Sequence, residues 1–235
     1  VEFCEKISFF EIMPRLRRKI DDYLISWKHN PNKMPLIIKG ARQIGKTDAV
    51  RNFGKSYKYF IEINFALQKE FLDIFDNGYE VDSIIRSITL KRPNLKFVPG
   101  ETLIFFDEIQ HCANCATSLK SFREDGRYDV CCSDSLMGIN YHAIKSNSVG
   151  NKMDIVMHSL DFEEFLWAKG YQESQIEDLY NYMKSVKPLP NNVLETYFNI
   201  FKEYMLVGGM PAIVSTFIEN NNYSGILDMQ KQILL

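Results

Sequence analysis

No run of about 18 apolar residues occurs in this sequence, so a membrane-crossing helix is not expected. The opening stretch VEFCEKISFFEIMPRLRRK lacks the basic-then-apolar order of a secretion signal. Cysteine is sparse: Cys4, Cys112, Cys115, Cys131 and Cys132. An odd count without such a signal fits a reducing cytosol better than a disulfide framework, and a cytoplasmic location is expected. Neither sign of charge dominates. Lys and Arg number 28 against 30 Asp and Glu, a net charge of −2, so no global basic field points to nucleic acid. A local basic face stays open on composition. Internal repeats and low-complexity segments are also missing.

An apolar fraction of 46% lies in the normal globular range. The 235 residues suffice for one α/β domain and a small appended one, at about 150 residues per domain. Ile12, Leu16, Ile20, Leu24 and Trp27 recur at helical spacing and predict an amphipathic helix over 12–28. LIIK then forms a short continuous apolar run, the mark of a buried parallel strand. Further strands are predicted over 57–65, 102–108, 128–133 and 154–160, with helices over 46–53, 67–75, 80–91 and 116–123. From Asp161 the pattern is helical only: 161–169, 173–186, 191–205, 211–219 and 223–234. Strands alternating with helices, then a helical tail, predict a doubly wound α/β sheet with a helical subdomain.

The spacing from Gly40 to Thr47 is G-x-x-x-x-G-K-T, the Walker A pattern, between a predicted strand and a predicted helix. A polyphosphate must be wrapped by backbone N–H groups at close range. Gly40 and Gly45 allow the torsions and leave no Cβ in the way. A helix starting near Lys46 points its positive end at the phosphates. Lys46 adds a movable cation, and the Thr47 hydroxyl suits Mg²⁺. The expected nucleotide contacts are Gly40, Ala41, Arg42, Gln43, Ile44, Gly45, Lys46, Thr47 and Asp48. The bland alternative is a Gly-rich turn that happens to precede a helix.

The apolar run Leu103–Phe106 ends in Asp107 and Glu108, a Walker B arrangement. Ligands of open α/β sheets sit beyond the carboxyl ends of the strands. If the two strands lie close in one sheet, both acids meet the phosphates. Asp107 is then expected to hold Mg²⁺, together with Thr47, and Glu108 to polarise an attacking water as general base. The alternative is a solvated acidic strand end. A kinase needs no water-activating Glu beside its metal ligand, whereas an ATPase does.

At these residues the chain resembles AAA+ P-loop ATPases. More narrowly, it resembles the bacterial and archaeal AAA-type ATP-binding proteins that carry a C-terminal domain of unknown function. The matching stretches are LIIKGARQIGKT, LIFFDEIQ, DGRYDV, SLDFEEFLWAKGY and YMLVGGMPAIV. The resemblance implies a three-layer αβα P-loop fold with a mainly parallel sheet, over 12–168. It also implies a C-terminal helical lid over 169–235 that stops before the usual C-terminal domain. ATP and Mg²⁺ are the implied ligands. Lys46, Glu108 and Ser135 are the implied catalytic residues, with Ser135 or Ser133 bonding the γ-phosphate or the water. The strand carries Ser133-Asp134-Ser135 where the family usually carries Ser-Gly-Ser, and Asp134 would bring negative charge near the ligand. Gly150-Asn151-Lys152 stands where many relatives have an Arg, and Arg123 and Arg127 lie elsewhere. The lid segment MPAIVSTFI has no Arg. The base is implied to lie between residues 13–20 and Gly208–Pro211.

Other features carry less. Cys112 and Cys115 beside His111 have no second pair at zinc spacing, and Cys131 and Cys132 are expected in the core. His29, His142 and His158 carry no acid or nucleophile at motif spacing. The stripe Val193, Leu194, Tyr197, Phe198, Phe201 and Met205 is expected to be core. Arg15, Arg17, Arg18 and Lys19 are expected to form a solvated face. The function expected is Mg²⁺-dependent ATP hydrolysis coupled to conformational change, with a protein partner or further domain as recipient. A nucleotide-gated binding module with little turnover and a small-molecule P-loop kinase are the alternatives.

Overall fold

The computed structural model describes residues 15–135, 150–220 and 222–234. Among them β1 (Leu36–Gly40), β2 (Tyr59–Asn64), β3 (Thr102–Asp107), β4 (Asp129–Ser135) and β5 (Met153–Val156) form one sheet. The strand order is β2-β3-β4-β1-β5, and every pairing is parallel. Helices α1 (Lys19–His29), α2 (Lys46–Gly54), α3 (Val81–Lys91) and α4 (Ala113–Asp125) cover its faces. Strands covered on both faces need apolar residues at nearly every position, which is why β1 and β3 read as continuous runs.

Strand alternation divides those residues between two layers. Leu36, Ile38, Leu103, Phe105 and Cys131 pack against Leu24 and Trp27 of α1 and Ala49, Val50 and Phe53 of α2. Ile37, Ile104, Phe106 and Cys132 face the other way, against Ile84 and Ile88 of α3 and Leu119 and Phe122 of α4. The result is the expected three-layer αβα arrangement. A third core joins Leu160 to α5 (Phe162–Ala168), α6 (Glu173–Lys184), α7 (Asn191–Val207), α8 (Pro211–Asn220) and α9 (Ser224–Leu234). It is built on Phe165, Leu166, Ile176, Ile200, Val207, Val214 and Phe217.

Several elements differ from expectation for local reasons. The helix expected from 12 begins at Lys19, and 12–14 lie outside the described residues, as do Cys4 and His142. Arg18 is extended, and its N–H donates to the Asp21 carboxylate at 3.0 Å, which caps the helix there. Lys69–Phe75 is a 3₁₀ helix rather than an α-helix. β5 ends at Val156, three residues after it starts, and the Leu160 N–H then bonds the Gly209 carbonyl at 2.7 Å, turning the chain into the helical layer. On α7 the expected core stripe is largely outside: Phe198 is 53% and Met205 69% exposed, while Ile200 is 7% exposed. Among the described residues no helix is long and apolar enough to cross a membrane.

Candidate nucleotide-binding site

β1 delivers the chain into the loop at Gly40, and α2 takes it up at Lys46. A Cβ at Gly40 would lie 2.4 Å from the Met157 carbonyl oxygen and 2.5 Å from the Ile44 side chain, so only glycine fits. Ile44 is buried in the α1–α2 core and anchors the loop from behind, while Ala41, Arg42 and Gln43 are exposed. Gly45 has φ +92°, a torsion that side chains disfavour. Lys46 is buried, and its ammonium folds back onto the carbonyls of Gly40 at 2.9 Å and Ala41 at 2.6 Å. Burial lowers its pKa, against the opposing pull of Glu108, Asp107 and Asp134.

Asp107 closes β3 and is buried. Its carboxylate accepts from the Thr47 hydroxyl at 3.2 Å and from the Asn64 amide at 2.7 Å, and the Ser133 hydroxyl also donates to it. Burial pushes its pKa up, the bonds from Ser133, Asn64 and Thr47 pull it down, and Glu108 pushes it up. Glu108 follows in a left-handed conformation, φ 58°. Its N–H donates to Ser133 Oγ at 3.0 Å. Its carboxylate accepts from the Ser135 hydroxyl and the Gln110 amide. Gln110 Nε2 also donates to Ser135 Oγ at 3.0 Å.

β1 and β3 are not neighbours. β4 lies between them, and Ser133 and Ser135, two residues apart, share the face on which Asp107 lies. Asp134 pairs in register with Lys39 and belongs to the opposite face. Its pKa is raised by burial, while Lys39 and Lys46 pull it down.

Lys46, Thr47, Asp107, Glu108 and Ser135 therefore meet at one sheet edge. Asp48 is 63% exposed at its side chain and ion-paired with Arg15. Arg123 donates to Gly150 and Asn151, and Arg127 pairs with Asp125 and Asp82. Cys112, Cys115, Cys131 and Cys132 are unpaired and buried, and no cluster of metal-ligating side chains forms among the described residues. Asn64 and Gln110 escaped sequence reasoning. Each left a trace, since Asn64 ends β2 at the same carboxyl edge and Gln110 follows Glu108 by two.

A model of the AAA domain matches residues 32–166, more than half of the chain and the whole span of the sheet. The chain belongs to the AAA-domain family, within the AAA+ P-loop ATPases. No curated protein matches it in sequence. Among solved structures, a Walker-type ATPase of Pyrococcus abyssi is similar with a TM-score of 0.54 at 13% identity, over 96% of this chain and 75% of that one. That likeness is one of fold. PCH-2 of C. elegans gives 0.47 at 13% identity, over 84% and 59% of the two chains. The Aeropyrum pernix ORC1 protein in complex with DNA gives 0.45 at 11%, over 67% and 50%.

In this AAA domain the basic cluster at the start of α1 is solvated in part: Arg17 and Lys19 are exposed, Arg15 is half-buried and Arg18 is buried. Arg15 holds Asp21 at 2.7 Å, Arg17 holds Glu173 at 2.6 Å, and Lys19 holds Asp161 and Glu163 at 2.5 and 2.7 Å. Arg18 is buried against Glu164. All four cations are occupied by carboxylates of the same chain. The segment also approaches the loop: a Cβ at Gly45 would lie 3.7 Å from Arg18 Nη1 and 3.8 Å from Pro211 Cγ. A cavity of about 450 Å³ opens beside it, lined by Arg18, Ile20, Tyr23, Met157, Ser159 and Glu164.

Proposed function

We propose that this AAA domain binds Mg²⁺·ATP at Gly40–Thr47 and hydrolyses it. The observation that carries the reading is the Thr47 hydroxyl against the Asp107 carboxylate at 3.2 Å, one residue from the Lys46 ammonium. The donor set suits the ligands. Hydroxyl and carboxylate oxygens are the hard donors that Mg²⁺ takes, and the loop offers amides and a buried cation for phosphate. Thr47 and Asp107 would hold the metal, which when bound neutralises charge on the phosphate oxygens. Lys46 would leave the carbonyls of Gly40 and Ala41 for the β- and γ-phosphates. Glu108 would take the proton of the attacking water, its carboxylate oriented by Ser135 and Gln110.

The division proposed is an ATPase domain over 12–168 and a lid over 169–235, with lid movement passed to a protein partner or a further domain. Unpaired buried thiols support a reducing, cytoplasmic setting. Calorimetric titration with ATP, with and without Mg²⁺, tests binding. Glu108→Gln is expected to keep that affinity and to lower turnover by roughly 10²–10⁴. Equal turnover in the variant and the parent rules out Glu108 as the base.

A second reading, a nucleotide-gated switch with little turnover, draws support from Arg123 and Arg127, both engaged away from the loop. An arginine at the γ-phosphate supplies roughly 10³–10⁵ in rate. Single-turnover measurement separates the two readings: a nucleotide still intact after hours favours the switch.

A further inference from the structure

Arg18 is only 5% exposed, and the chemistry above leaves it unused. It precedes α1, yet its guanidinium reaches three other segments. Nη1 donates to the Ile44 carbonyl at 2.8 Å, inside the phosphate loop. Nη2 donates to the His158 carbonyl at 2.7 Å, just past β5. Nε lies 3.1 Å from the Glu164 carboxylate in α5. Glu164 in turn accepts from the Lys19 amide at 2.7 Å and the Asp161 amide at 3.2 Å. One buried cation thus touches the loop, the exit of the sheet and α5, the helix that leads into the lid.

The bond to Ile44 has a directional consequence. In a trans peptide the carbonyl and the following N–H point in opposite directions, and no cis peptide occurs among the described residues. Fixing the Ile44 carbonyl therefore aims the Gly45 N–H away from Arg18. Gly45, at φ +92°, is a residue that tolerates either orientation of the preceding peptide. If that peptide turned over, a carbonyl oxygen would face the phosphate in place of a donor.

We propose that Arg18 is a positioning residue for phosphate binding: it clamps the Ile44–Gly45 peptide so that the Gly45 amide serves the nucleotide, and it ties that orientation through Glu164 to α5, the helix that leads into the lid. The proposal rests on the nucleotide reading above. It explains why a charge is buried here at all. An apolar side chain would pack more cheaply but would hold no carbonyl.

Truncating Arg18 alone strands the Glu164 charge, which destabilises strongly. The informative variant is the double substitution Arg18→Met with Glu164→Gln, which removes both charges and keeps one acceptor oxygen, for the Lys19 amide or the Asp161 amide. In nucleotide-free protein, NMR reads the Ile44 carbonyl carbon and the Gly45 amide directly. Both resonances are expected to shift or broaden in the double variant, and Mg²⁺·ATP affinity to fall roughly tenfold or more. Glu164→Gln alone leaves Arg18 buried without its carboxylate, so it is expected to melt earlier, yet to keep the Ile44 and Gly45 signals, because Nη1 still reaches the Ile44 carbonyl. A double variant with unchanged Ile44 and Gly45 signals and parental affinity would overturn the proposal, even if it melted earlier. A parent protein that binds no Mg²⁺·ATP would instead remove the nucleotide reading, and the nucleotide-free comparison of Ile44 and Gly45 signals between parent and double variant tells the two failures apart.

Discussion

Ser133 holds Glu108: its Oγ accepts the Glu108 amide proton at 3.0 Å, while its own hydroxyl donates to Asp107. A single side chain on β4 thus fixes both acids at the end of β3. Glu108 has φ 58°, a conformation that costs a non-glycine residue about 1 kcal/mol or more. The amide bond to Ser133 helps to keep it there. Ser133→Ala leaves that amide without its partner and strips a donor from a buried carboxylate. A loss of roughly 1–3 kcal/mol is expected, seen as a melting temperature lower by about 2–4 °C per kcal/mol in a chain of this size. Turnover is expected to fall further than affinity, because Glu108 loses its orientation while Lys46 keeps its own. A variant that melts and turns over like the parent would show that Ser133 positions nothing.

Lys46→Ala separates binding from folding. The ammonium is buried, its pKa is lowered by that burial, and its partners are two loop carbonyls. Burial of a charge is unfavourable, so removing it is expected to change stability little. Affinity is another matter, since a charge-assisted bond is worth about 1.5–3 kcal/mol. A loss of roughly ten- to hundredfold in Mg²⁺·ATP affinity is expected from calorimetry, with the melting temperature of the free protein near that of the parent. Retained affinity would mean that the loop binds no polyphosphate through this residue.

Asp134 carries a pH signature. Burial raises its pKa above 3.8, although Lys39, Lys46 and Lys152 pull it down, and Glu108 adds to the rise. An acid with a raised folded-state pKa favours folding when protonated. That contribution is complete below the unfolded-state pKa and is lost as pH rises through the folded-state value. At neutral pH the ionised group opposes folding. Asp134→Asn is therefore expected to raise the melting temperature at pH 7, and the gain should vanish near pH 4 and below. It is also expected to tighten nucleotide binding, because one negative charge near Lys46 is gone. Equal melting curves for parent and variant at pH 7 would contradict the sign of the shift.

How much of this was legible beforehand depended on the range of each interaction. The loop is written in eight consecutive residues, so its motif needs no tertiary knowledge. β1 and β3 are legible because burial on both faces leaves them almost wholly apolar. Their carboxyl ends bring Thr47 and Asp107 together only if the two strands lie close in one sheet, a condition that the order β3-β4-β1 meets. Asn64, Gln110 and Arg18 are different. Each acts through a partner 26 to 43 residues away or through a local turn that periodicity does not encode. The partners of the basic cluster were hidden for the same reason, since the carboxylates that neutralise Arg17 and Arg18 lie 156 and 146 positions further on, at Glu173 and Glu164. α1 was placed too early because Leu16 keeps the helical spacing while Arg18 is extended.

α7 offers the sharpest contrast between pattern and packing. Its sequence NNVLETYFNIFKEYMLV carries apolar residues on more than one side, so periodicity alone cannot say which side is buried. Ile200 and Val207 enter the helical core, joined by Tyr197 and Tyr204, whereas Leu194, Phe198, Phe201 and Met205 are exposed. The energetic consequence is a reversal of the sequence-based ranking. Ile200→Ala removes a buried side chain and is expected to cost about 2–5 kcal/mol. Phe198→Glu, at a position 53% exposed, is expected to stay within about 0.5 kcal/mol of the parent. Its main loss is the contact of the Lys202 ammonium, 4.3 Å from the ring, which a carboxylate four residues away replaces with an ion pair. Urea denaturation of the two variants decides the matter. If Phe198→Glu unfolded the protein while Ile200→Ala did not, α7 would be rotated about its axis relative to the arrangement described, and its outer stripe would be core after all.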